Sequence, residues 1–124
     1  MDSKAVADAY RQGSIENAPP IKIIRMLYQG ALRFLTEAIA AGADSVIFRD
    51  RVARTDQIVT ELRLALVADA DPSLCENLEN LYLFVESCLI DAMRNQTTEP
   101  LASARKILTT LGEAWKEVEI TSEQ

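Results

Sequence analysis

Glu76, Glu79, Glu86 and Asp91 crowd into one stretch of the chain together with its two cysteines, Cys75 and Cys88. Residues of these types can hold a metal ion or exchange protons when their side chains converge. Here the apolar periodicity of the same stretch predicts a helix, and on that helix the carboxylates fall mostly on solvent-facing positions, which reads as a solvated face and not as a site. The cysteines are separated along such a helix by roughly 20 Å and point in different directions. They cannot bridge within the chain and read as small hydrophobes in a reducing compartment. The chain has no histidine, which excludes phosphotransfer through histidine and the Glu-x-x-His ligands of di-iron bundles. It has no Gly-rich phosphate loop either. No catalytic residue, metal ligand or cofactor site is expected, and enzyme function is not.

The elements that would position any other kind of site follow from composition. The chain has 124 residues, 48% of them hydrophobic, with 4 Gly and 4 Pro. That is one domain with a real core and too few turn-makers for a β protein, so an all-α fold is expected. The formal net charge of −6 comes from 13 basic and 19 acidic residues without a basic cluster, so nucleic acid is not an expected partner. The start, MDSKAVADAY, is charged and has no apolar core of a signal peptide, and later apolar runs are broken by charge, as at Arg33 and Glu37. Neither a signal peptide nor membrane insertion is expected, which predicts a cytoplasmic protein.

Breakers divide the chain. Pro19-Pro20 opens a first helix over about 20–42, and Gly42-Ala43-Asp44-Ser45 ends it and caps a second over about 46–68. Asp71 or Pro72 starts a third, which runs to about Asn95, and a fourth covers about 100–118. Connections this short make neighbours antiparallel, which predicts an up-down four-helix bundle over residues 19–118. Residues 1–18 would form an N-terminal arm with a short helix around Ser3 to Gln12, and residues 119–124 a flexible tail.

Projection at the helical period separates core from surplus. In the first helix, Ile21, Ile24, Tyr28, Ala31, Leu32, Leu35, Ala38 and Ile39 share an arc of about 120°, sufficient for a bundle seam. Ile23, Met26, Leu27, Gly30 and Phe34 widen it to about 240°. On the second helix, Ile47, Ile58 and Ala65 sit at the edge of a core face made by Phe48, Val52, Val59, Leu62 and Leu66, and Val46, Ala53 and Leu64 form a thin stripe opposite. On the third, Leu83 and Ile90 fall outside the inward face. The first helix could simply touch two neighbours and be roofed by arm residues such as Tyr10 and Ile15. An arm of this length cannot cover the other stripes as well, and contiguous exposed apolar area marks a partner site. A hydrophobic binding module is therefore expected.

The segment MLYQGALRFLTEA (Met26 to Ala38) resembles the signature of the FliS family of flagellar secretion chaperones. The segments Ala9-Tyr10, QIVTELRLAL (Gln57 to Leu66), NLENLYLFV (Asn77 to Val85), LIDAMRN (Leu89 to Asn95) and ILTTLGEAWKEV (Ile107 to Val118) resemble further family segments in the same order. The resemblance spans about residues 7–118. Gln29 stands where the family commonly has Asp, and Gly112 where Arg is common, so a polar contact made by that Asp would be lost or altered.

The resemblance implies a small antiparallel bundle that binds the disordered C-terminal segment of flagellin as helices in surface grooves, blocks its premature polymerisation and delivers it to the membrane export gate. It also implies an arm near Tyr10 that occupies part of the client surface when no client is present. On this reading Tyr10 and Ile15 frame the groove, Ile23, Leu27, Gly30 and Phe34 form its floor, and Ile58, Leu64, Leu83 and Ile90 extend it. Tyr28 stands between core and partner face. The alternative is a structural bundle that self-associates through its stripes into an obligate homodimer.

Overall fold

The computed structural model describes residues 21–66 and 72–122. Four stretches dominated by good helix formers become α1 (Ile21–Ala41), α2 (Val46–Leu64), α3 (Pro72–Asn95) and α4 (Glu99–Ser122). The prolines inside these helices, Pro72 and Pro100, occupy the first turn, where a missing N–H breaks no intrahelical bond. Arm residues Tyr10 and Ile15 lie outside the described residues.

Two tight connections set the antiparallel path. Gly42 ends α1 with φ +85°, a conformation that costs a glycine nothing, and its N–H donates to the Ala38 carbonyl at 3.2 Å. Ser45 then caps α2, its Oγ accepting the Ile47 N–H at 3.0 Å. Between α3 and α4, Gln96 takes the left-handed conformation with φ 49°, and the Thr97 N–H reaches back to the Ala92 carbonyl at 3.1 Å. That bond closes the end of α3 as a Schellman turn. Thr97 Oγ1 accepts the Glu99 N–H at 3.3 Å and caps the start of α4.

Each helix packs against two others, α1 on α2, α2 on α3, α3 on α4 and α4 back on α1. The result is the expected all-α antiparallel bundle, with α1 diagonal to α3 and α2 diagonal to α4. Its core contains Ile24, Tyr28 and Leu35 of α1, Phe48, Val59 and Leu62 of α2, Leu78, Tyr82 and Leu89 of α3, and Leu101, Leu108 and Trp115 of α4. Both cysteines are buried and neither forms a disulfide, as their reading as small hydrophobes requires. Burial, and secondarily Asp91, push the Cys88 thiol above its usual range, which leaves less of the reactive thiolate.

Three details differ from the sequence reading. The helix expected to reach about residue 68 ends at Leu64, because the Leu66 N–H turns to the Arg63 carbonyl at 3.2 Å in a tighter three-residue step. Helix α4 continues through Ser122, past the expected end at about 118 and into the segment read as a tail. Val118 is buried and Arg25 of α1 holds Glu119 at 3.0 Å, so the last turns have tertiary partners. Finally, the α2 core face is completed by Thr55, which is fully buried and donates its hydroxyl to the Arg51 carbonyl at 2.8 Å. A polar side chain satisfied within its own helix can occupy a core position.

Candidate partner-binding site

The surplus apolar arc of α1 divides into two parts. Leu27, Gly30 and Phe34 are half-buried, and Leu27 packs against the core. Gly30 lies under Ile58 of α2, with the Ile58 Cδ1 3.4 Å from where a β-carbon would stand. Phe34 lies beneath the guanidinium groups of Arg33, 5.0 Å from its centroid, and of Arg54 of α2, at 5.8 Å. Arg54 is itself held by Asp50 at 2.9 Å, and Arg51 by Glu37 of α1 at 3.0 Å. Much of the arc thus faces the α1–α2 contact. Ile23 and Met26 remain open to solvent, Met26 at 67% exposure. Tyr28 belongs to the core: it is fully buried, and its hydroxyl meets that of Tyr82.

The surplus residues of α2 and α3 converge differently. Ala53 of α2 and Ile90 of α3 line one groove of about 480 Å³ between these helices, together with Val52, Asp56, Leu89, Met93 and Arg94. That volume lies within the range of about 300–1,000 Å³ found for ligand-holding clefts. Ile90 is 54% exposed and Met93 38%, so the groove has apolar walls that the bundle itself does not cover. Leu64 and Leu83 are also exposed, but along the helices they are separated from the groove residues by a polar bridge between α2 and α3. There Glu86 of α3 accepts the Thr60 hydroxyl at 2.8 Å and the Arg63 Nε–H at 2.9 Å. Glu86, one of the four carboxylates with chemical potential, is engaged in holding two helices together.

Asp56 is the half-buried carboxylate of the groove. Burial, and then the charge of Glu86, push it above the usual carboxylate range, while Arg63 acts weakly in the opposite sense. Among the described residues it forms no ion pair, and neither does Arg94. Projection of single helices did not single out Asp56, Met93 or Arg94 as groove residues. They become visible only when the Ala53 stripe and the Ile90 stripe are placed side by side. No group of three or more potential metal ligands occurs among the described residues.

Among the described residues, the four helices enclose an apolar core and leave an apolar groove open between α2 and α3, which is the architecture of a helical protein with a candidate partner surface. Comparison with known proteins narrows this class. Residues 2–122 match the family described as flagellar protein FliS, and the chain belongs to the FliS family. It is similar to the flagellar secretion chaperone FliS of Bacillus subtilis, 28% identical over 111 residues that cover 88% of this chain and 82% of the relative. It is also similar to the flagellar secretion chaperone FliS of Vibrio cholerae, 25% identical over 116 residues that cover 89% and 85% of the two chains. The protein is therefore a chaperone of flagellar export and not an enzyme. No helix among the described residues is long and apolar enough to cross a membrane.

Proposed function

We propose that this chaperone works in the cytoplasm, where it binds the disordered C-terminal segment of flagellin in apolar surface grooves, prevents its premature polymerisation and delivers it to the gate of the flagellar type III export apparatus. The observation that carries this reading is the uncovered α2–α3 groove with Ala53, Ile90 and Met93 on its walls. An amphipathic client segment that folds on binding would bury its apolar face there and pay for its own ordering from that burial. Leu64 and Leu83 would prolong the contact beyond the Glu86 bridge. Ile23 and the half-buried Leu27, Gly30, Phe34 and Ile58 would meet a second part of the client along the α1–α2 side. Tyr10 and Ile15 of the arm would cover part of this surface until the client arrives.

The test is titration of the flagellin C-terminal segment into the wild-type chain and into Ile90→Asp. Because Ile90 is exposed, the variant should fold normally by circular dichroism and weaken the complex by about 2 kcal/mol or more, since an anchor is lost and a charge must be desolvated. Unchanged affinity would remove the groove from the client site. Light scattering separates this reading from the homodimer: a monomer that forms a one-to-one complex supports the chaperone, and a stable dimer indifferent to flagellin supports self-association. Arm deletion over residues 1–8 should accelerate association if the arm competes with client.

A further inference from the structure

We propose that Asp56 and Arg94 act as a charge selector on the α2–α3 groove, admitting an amphipathic helix that carries a basic side chain on one flank of its apolar stripe and a carboxylate on the other. The proposal rests on the reading of this groove as a client site and specifies what the client must present to it.

The two residues lie on opposite walls, Asp56 on α2 and Arg94 on α3. Their level along the bundle follows from the antiparallel register. Glu86 bridges to Thr60 and Arg63, so rising along α3 from Glu86 corresponds to descending α2 toward Val52. By the helical rise, Asp56 and Arg94 are then offset by less than one turn, roughly 4 Å along the axis. A bound helix would therefore meet both at about the same place, one on each side of its apolar stripe.

The rest of the groove is apolar and gives a helix no electrostatic reason to prefer one partner over another. Neither residue forms an ion pair among the described residues, so both carry charge that an incoming helix can meet. Asp56 is half-buried near Glu86, so an incoming cation relieves an unfavourable local environment. Flanking charges of this kind choose partners in paired helices, where the wrong sign is rejected by repulsion. They also choose direction. A helix turned end for end exchanges its flanks, which would set its cation against Arg94 and its carboxylate against Asp56.

Three stapled helical peptides with one apolar stripe and Lys/Glu, Lys/Lys or Glu/Glu flanks test this on the full chain. Wild type should bind the Lys/Glu peptide at least about tenfold more tightly than the other two. Asp56→Arg should shift the preference to Glu/Glu, and Arg94→Glu to Lys/Lys. Asp56→Asn and Arg94→Gln should flatten the ranking and provide the answer should a reversed charge impair folding. A ranking that is the same in all variants, or that favours Lys/Lys throughout because the chain is acidic, overturns the selector. So does a homodimer that the peptides dissociate, which would seat a second copy in the groove. The flagellin C-terminal segment is run as competitor: if the peptide ranking switches but flagellin does not compete, the client reading fails and the selector stands. If flagellin competes and the ranking does not switch, the selector alone fails.

Discussion

The hydroxyl of Tyr28 on α1 meets the hydroxyl of Tyr82 on α3 at 2.5 Å, joining two helices that sit diagonally in the bundle. Both side chains are fully buried. A polar contact in the middle of an apolar core specifies which faces of the helices meet, because any rotated arrangement leaves a buried hydroxyl unsatisfied. Tyr28→Phe and Tyr82→Phe should each cost about 1–2 kcal/mol in urea denaturation. The double variant should cost less than the sum, since the two hydroxyls share one bond.

The same pair predicts the response to alkali. Burial, the neighbouring Tyr82 and the hydrogen bond between them raise the Tyr28 pKa well above its ordinary value of 10.0. The folded value then exceeds the unfolded one, so the contribution to stability is complete below about pH 10 and declines as pH rises above it. Thermal melts from pH 8 to pH 11 should show a steeper loss of Tm in wild type than in Tyr28→Phe. Equal slopes would show that other groups govern alkaline unfolding.

Gly112 lies in the interior of α4, where glycine carries an entropic penalty relative to alanine. A β-carbon there would stand 3.8 Å from Leu32 Cδ1 and from Tyr28 Cβ, an ordinary packing distance. Gly112→Ala should stabilise the bundle by about 0.5–1 kcal/mol, measured as an increase in the urea midpoint at constant m-value. Gly30→Ala should gain less, because Ile58 already stands at 3.4 Å.

Glu86 ties α3 to α2 with side-chain exposure of only 13%, and its partner Arg63 is at 27%. Glu86→Ala should cost about 1–2 kcal/mol, allowing for the partial exposure of the arginine. Glu86 also contributes to the raised pKa of Asp56, so Glu86→Gln should lower it. Carboxyl-resolved NMR titration reads that shift directly, and an unmoved Asp56 would show that burial alone sets its value.

The four helices and their order were legible along the chain because their causes are local. Pro72 in a first turn, Gly42 at a left-handed end and Ser45 at a cap act through the backbone of their own neighbours, and the spacing of Ile24, Tyr28, Ala31 and Leu35 follows from the helical period. The family, too, could be recognised in segments such as Met26 to Ala38. Where the surplus apolar residues go was decided by tertiary structure. Seen alone, α1 had the widest apolar arc, yet Gly30 lies under Ile58 and Phe34 lies below Arg54, so α2 takes much of that arc. The thin stripes of α2 and α3 looked weaker, and they meet at Ala53 and Ile90 to form the open groove. Projection describes one helix around its own axis, whereas a groove exists only between two helices at a definite rotation and register. In this bundle that rotation depends on contacts remote in sequence, such as Tyr28 with Tyr82 and Glu86 with Arg63, and no periodicity within a single helix encodes them.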